Sequence, residues 1–156
     1  MIIQSEKRVY NESGKAMPIC EFDTDKLLVK SYDNEKMVKT LLEHYDGDIN
    51  ELNLHDKWCE YEFFFSTEAI RYHVNYVMAH NPNKFTELVN ENAIFQYLWD
   101  LDWKIFNEIQ AQVEHWKEHA EDYQVAMRTG DIITAAKIEK MLELQAKEVI
   151  YPLLGI

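Results

Sequence analysis

The period of the apolar positions changes three times along the chain. From Met1 to Tyr32 they form short runs between turn residues. Val9-Tyr10, the polar stretch Asn11-Glu12-Ser13-Gly14, then Ile19 and Phe22 read as a hairpin turning near Gly14. Leu27-Leu28-Val29 reads as a third strand. After Asn34, a suitable N-cap, the spacing becomes helical. Met37, Val38, Leu41, Leu42 and Tyr45 share one face, and Gly47 is a stop. Trp58 to Phe65 returns to alternation, with Tyr61, Phe63 and Phe65 between Glu60 and Glu62, the pattern of a half-buried strand.

Beyond Phe65 the period is helical to the end. Ser66 or Thr67 caps a helix carrying Ile70, Val74, Val77 and Met78, which stops at Asn81-Pro82. A short helix follows with Phe85, Leu88 and Val89. The longest predicted helix carries Ile105, Ile109, Val113, Trp116, Ala120, Tyr123 and Met127, spaced 4-4-3-4-3-4 as one apolar stripe. Gly130 suits the position after a helix and Asp131 the cap of the next, so the chain turns back at once. A last helix reaches about Ile150, before Pro152, with Ile138, Leu142 and Val149 facing inward and Glu143–Lys147 as a supporting pair. The predicted fold is mainly α (α+β): a helical hairpin and short helices with a small N-terminal antiparallel β portion. One domain is expected over 1–156, with 1–65 the smaller α+β portion and 66–156 the helical portion.

Composition sharpens this picture. The chain has 156 residues, 47% apolar and 13% aromatic, enough for a packed core rather than a disordered tail. Its net charge of −12 disfavours direct contact with nucleic acid or an anionic membrane and favours a basic protein partner or simple solubility. Cys20 and Cys59 form no CxxC pair, so neither a disulfide framework nor a zinc site is indicated. The opening MIIQSEKRVY lacks an apolar leader core, and no run of about 18 apolar residues occurs. The expectation is a soluble, cytoplasmic protein of bacterial origin without a cofactor. A homodimer is open.

Tyr76, Val77, His80, Pro82, Phe85, Leu88, Val89, Ile94, Tyr97, Leu98, Leu101 and Asp102 follow a phrase without a gap: Tyr-Leu-x-x-His-x-Pro, an aromatic, a Leu pair, and Tyr-Leu with a closing Asp. This phrase resembles TnpV, a family of small proteins encoded on bacterial transposons and conjugative elements. The tail residues Lys137, Ile138, Ala146, Glu148, Val149 and Ile150 are similar to the family's closing helix. Tyr10, Glu12, Gly14 and Pro18 are similar to its opening hairpin. The resemblance covers a little over half the chain. The chain departs from the family in two places. Much of Glu21–Phe65 looks like an insertion or a different N-terminal module, and only Arg71 stands where members usually carry basic residues. The resemblance implies a mobile element as the source; it implies no reaction and brings no catalytic residues.

The remaining constellations have bland readings beside sharp ones. His115 and His119 stand four apart on a predicted helix, a spacing that clamps a metal. With no third ligand identified, a polar helix face without metal is expected. Asp100, Asp102 and Glu108 suit a helix start, where acids meet the dipole, better than acid–base chemistry. The aromatics of Trp58–Phe65 lack the basic flanks of a nucleic-acid platform and are expected in the core. The acids are more telling. Seven acids and one base lie between Thr40 and Glu62, and nine acids and two bases between Phe85 and Asp122. Two acidic surfaces are expected, Glu43, Asp46, Asp48 and Glu51, and Glu114, Glu118, Glu121 and Asp122. The expected role is a non-enzymatic, anti-CRISPR-like mimic of nucleic acid that binds a basic host nuclease. The alternatives are a helical accessory factor of transposition or conjugation and, last, a metal-assisted hydrolase.

Overall fold

A computed structural model describes residues 1–10, 13–32, 35–44 and 60–153. Its elements are mainly helical. β1 (Ile2–Gln4), β2 (Arg8–Tyr10), β3 (Ala16–Pro18), β4 (Cys20–Asp23) and β5 (Leu28–Tyr32) precede α1 (Glu35–His44) and β6 (Glu60–Phe64). α2 (Glu68–His80), α3 (Asn83–Asn90), α4 (Ile94–His119), α5 (Glu121–Arg128) and α6 (Ile132–Leu153) follow. Contacts separate the chain into two compact units, Met1–Asp100 and Leu101–Ile156, dividing within α4.

In the first unit, β1, β4, β5 and β6 form an antiparallel sheet in the order β1-β4-β5-β6, and β2 pairs with β3 beside it. Gly14, at φ +80°, makes the β2–β3 turn where the sequence places it. The returning arm is Ala16–Pro18, whereas Phe22 continues into β4 and pairs with β1. Ile3, Phe22, Val29 and Phe63 stand in one row across the four strands. Alternation then puts Phe63 and Phe65 on one face and Phe64, which is exposed, on the other. Phe63, Phe65, Phe95 and Trp99 form an aromatic cluster with ring centroids 4.8–5.8 Å apart. Phe85 of α3 meets Phe22 edge-on at 5.5 Å. Phe63 and Phe65 are thus spent on packing, and Phe64 is not.

The β4–β5 turn places Leu27 at φ +55°, although its side chain is only 3% exposed. α2 starts and stops where its signals stand. Thr67 accepts from the Ile70 amide at 3.4 Å, and Asn81 closes the helix. On α1 Leu41 is buried but Leu42, expected beside it, is exposed. The expected cap Asn34 and stop Gly47, with Tyr45, Trp58 and Cys59, lie outside the described residues. So do the side chains of Met37 and Val38.

In the second unit the single long helix of the sequence reading is two helices. Ala120 is extended, at φ −87° and ψ 101°, and separates α4 from α5. The Gln124 side-chain amide donates to the Lys117 carbonyl at 2.8 Å, meeting one of the carbonyls that the end of α4 leaves without an intrahelical donor. Ile105, Ile109 and Val113 are buried as expected. Trp116 is only half-buried and Met127 is 54% exposed, because the stripe ends at the break. Gly130, at φ +73°, then reverses the chain. The Gly130 amide donates to Met127 and the Asp131 amide to Ala126, the paired bonds of a Schellman closure. α6 continues through Pro152 to Leu153, since a proline so near the end removes only one final bond. Ala135, Ala146 and Ile150 are its buried residues. Val149, expected inward, lies about 100° of helix rotation from Ile150 and is exposed.

Candidate functional site

Five residues of the Tyr-Leu phrase serve packing. Val77, Phe85, Val89, Ile94 and Leu98 are buried. Tyr97 bonds through its hydroxyl to Nε2 of buried His73 at 2.7 Å. His80 stacks on Tyr76 with ring centroids 4.2 Å apart and bonds through Nδ1 to its carbonyl oxygen. Arg71, the base ahead of the phrase, donates to the carbonyl oxygens of Thr24 and Asp25. It is a structural cation that holds the β4–β5 turn.

The other candidates divide sharply. Of the first acidic group, Glu43 is exposed on α1, and Asp46, Asp48 and Glu51 lie outside the described residues. The second group is gathered. Glu114 and Glu118 sit in the last turns of α4, Glu121 and Asp122 in the first turn of α5, and all four are exposed around the break at Ala120. Glu121 and Asp122 stand where a helix dipole favours acids, and Asp122 accepts from the Tyr123 amide at 2.8 Å.

An open groove of about 630 Å³ adjoins them on the α5–α6 hairpin. It is lined by Glu121, Asp122, Val125, Ala126, Thr129, Asp131 and Thr134. Three of these carry carboxylates and none is basic. Asp131 caps α6 by accepting from the Thr134 hydroxyl at 2.7 Å and its amide at 3.2 Å. The Thr134 hydroxyl, then its amide, then the charge of Lys137, hold the Asp131 carboxyl below the usual carboxylate value.

Lys117 is the base closest in sequence to this group, and its charge is already committed. Its ammonium lies 2.8 Å from Glu139 of α6 and 3.2 Å from Glu114, with its side chain 13% exposed. Burial opposes that charge, but bonds to Glu139 and Glu114 outweigh it and raise the Lys117 pKa. Among the described residues, no ion pair involves Glu118, Glu121 or Asp122.

His115 and His119 lie on the exposed side of the last α4 turn, rings 5.0 Å apart. The structure adds a third member, Glu118. Glu118 and the two histidines each offer one ligand atom, all within 4.8 Å of one another. The signal was present as His115-Trp116-Lys117-Glu118-His119. This His-x-x-Glu-His spacing reverses the His-Glu-x-x-His helix motif.

The remaining candidates among the described residues are Asp100, Asp102, Glu108 and Cys20. Asp100 accepts from Gln96 at 2.7 Å on the surface, Glu108 is exposed and Asp102 is half-buried, so none is enclosed as a catalytic acid needs. Cys20 is buried, and burial pushes its thiol up to about 12, far from a nucleophile's range. Among the described residues no helix is long and apolar enough to cross a membrane. No family model, no curated protein and no solved structure matches this chain.

Proposed function

We propose that the protein is a non-enzymatic binding protein. Its acidic α4–α6 surface occupies the Lys/Arg-lined channel of a nucleic-acid-handling protein, such as a host defence nuclease. One observation carries the reading. Glu118, Glu121, Asp122 and Asp131 surround the end of α4 and the α5–α6 groove, and the neighbouring base, Lys117, is held by Glu114 and Glu139. A basic side chain entering the groove meets carboxylates on several sides, and the overall charge of −12 speeds its approach. The same charge repels DNA. A mobile-element source, which the TnpV resemblance implies, suits an anti-CRISPR-like or anti-restriction role.

The test is competition. The protein should displace nucleic acid from a Cas-type or restriction nuclease, and the effect should weaken with salt. Reversing Glu114, Glu118, Glu121 and Asp122 to Lys should abolish it while the circular dichroism spectrum stays unchanged. Unchanged affinity and salt slope in that variant would reject the mimic.

A second reading rests on a different observation. α6 carries Ile133, Met141 and Leu144 at 72%, 55% and 55% exposure, opposite its buried face. Trp103 and Phe106 of α4 are also exposed and touch edge-on. Apolar helix faces suit a helical accessory factor of transposition or conjugation. Binding that ignores salt but is lost in Met141→Glu/Leu144→Glu would favour this role.

A further inference from the structure

The geometry points to a solvent-open site for one divalent transition-metal ion at the end of α4, held by His115, Glu118 and His119. The three residues stand at helix positions i, i+3 and i+4, so one face presents them together. Tetrahedral zinc, with bonds of about 2.1 Å, needs its ligand atoms about 3.4 Å apart. The present atoms lie within 4.8 Å of one another. All three side chains are exposed, so the rotations that close the distance displace no packed neighbour.

Three features around the triad favour a cation. It occupies the last turn of α4, where the helix dipole is negative. Glu114, Glu121 and Asp122 add negative charge nearby in sequence. Lys117, the base inside the motif, is drawn away by Glu139 and Glu114 rather than contesting the carboxylate of Glu118. Two imidazoles and one carboxylate form a borderline set suited to zinc and its neighbours, with copper(II) binding more tightly still; magnesium and calcium prefer all-oxygen sites. Three protein ligands leave a coordination position for water. Both imidazoles must be neutral to bind, so acid should release the metal.

The experiment is a calorimetric titration of the full chain with zinc chloride at neutral pH, repeated with cobalt(II) followed by visible absorption. One ion per chain is expected, with tetrahedral cobalt bands that bleach on adding zinc. His115→Ala and His119→Ala should each weaken binding at least tenfold. Glu118→Gln should weaken it less, and Cys59→Ser should leave it unchanged. Excess magnesium should not displace the zinc. The proposal is overturned if no saturable binding occurs, if it survives both histidine substitutions, if Glu118→Gln binds as the parent does, or if magnesium competes. The last outcome would reduce the site to its carboxylates. His115, Glu118 and His119 are exposed, and far-ultraviolet circular dichroism of each variant checks that the loss is local.

Discussion

The guanidinium of Arg71, on α2, donates to the carbonyl oxygen of Thr24 at 2.8 Å. A second donor of the same group reaches Asp25. One cation thus ties a helix to the turn between two strands of the same unit. Hydrogen bonds from a charged group are worth about 1.5–3 kcal/mol. Arg71→Met should therefore lower unfolding free energy by about that amount, read from the urea midpoint. Arg71→Lys should recover only part of it, because an ammonium lacks the fork that spans two carbonyls. An Arg71→Met midpoint equal to the parent's would show that water replaces the guanidinium without loss.

Phe85 is fully buried against Phe22, whereas Trp116 is half-buried. Phe85→Ala should remove about 3–5 kcal/mol, the range for an enclosed aromatic. Trp116→Ala should remove clearly less, because the surface it vacates is already partly wet. Thermal melts of both variants check the order, and equal losses would contradict the burial described.

Gly130 sits at φ +73°, with nothing within 4 Å of where a Cβ would stand. Gly130→Ala therefore meets no clash and carries only the left-handed penalty, about 1–2 kcal/mol. Gly130→Asn should lose less, since asparagine tolerates this region better. A stabilised alanine variant would mean that the α5–α6 reversal does not need the Schellman closure.

His73 gives the stability a pH dependence. Burial, and then the charge of Lys84, hold its pKa below the ordinary 6.5. The unfolded chain takes up this proton near that ordinary value and the folded chain at lower pH. Between the two the unfolded state binds more protons, so stability is full above about 6.5 and falls as the pH drops through it. Urea midpoints at pH 7.5 and 5.5, with a chelator present, should separate in the parent and converge in His73→Leu. The ring also fixes its tautomer. Among the described residues Nδ1 has no partner, and a proton on Nε2, facing the Tyr97 hydroxyl, is the tautomer that leaves no buried N–H unpaired. An equal pH response in the two proteins would assign the acid sensitivity to other groups.

Much of the fold was legible where a local signal coincided with a tertiary need. Thr67, Asn81, Gly14 and Gly130 mark their boundaries correctly because capping and left-handed turns depend on a few neighbouring residues. β1 was missed because three residues, Ile2–Gln4, are too few for a period to show; pairing with β4 makes them a strand. The break at Ala120 falls on the best helix former, so no propensity announces it. It is set by the Gln124 bond and by two acids that begin the next helix. In the candidate site, the acidic run was legible as composition, but its gathering at the break was not. The third metal ligand was overlooked in a different way. Glu118 stands between the histidines among several neighbouring acids, and only the folded helix shows which of them shares their face.

Leu27 has a kinetic consequence. Its left-handed backbone is unfavourable for a leucine by about 1–2 kcal/mol, and burying its side chain returns about 1.5–3 kcal/mol. The second term exists only once a core is present to cover it; before then, the β4–β5 reversal is uphill. The two strands beside it are therefore expected to register late, once the Phe65 amide meets the Leu27 carbonyl, 2.9 Å away in the finished fold. Leu27 would then be a latch that closes after the folding barrier: weakening it should speed unfolding and leave the folding rate almost unchanged.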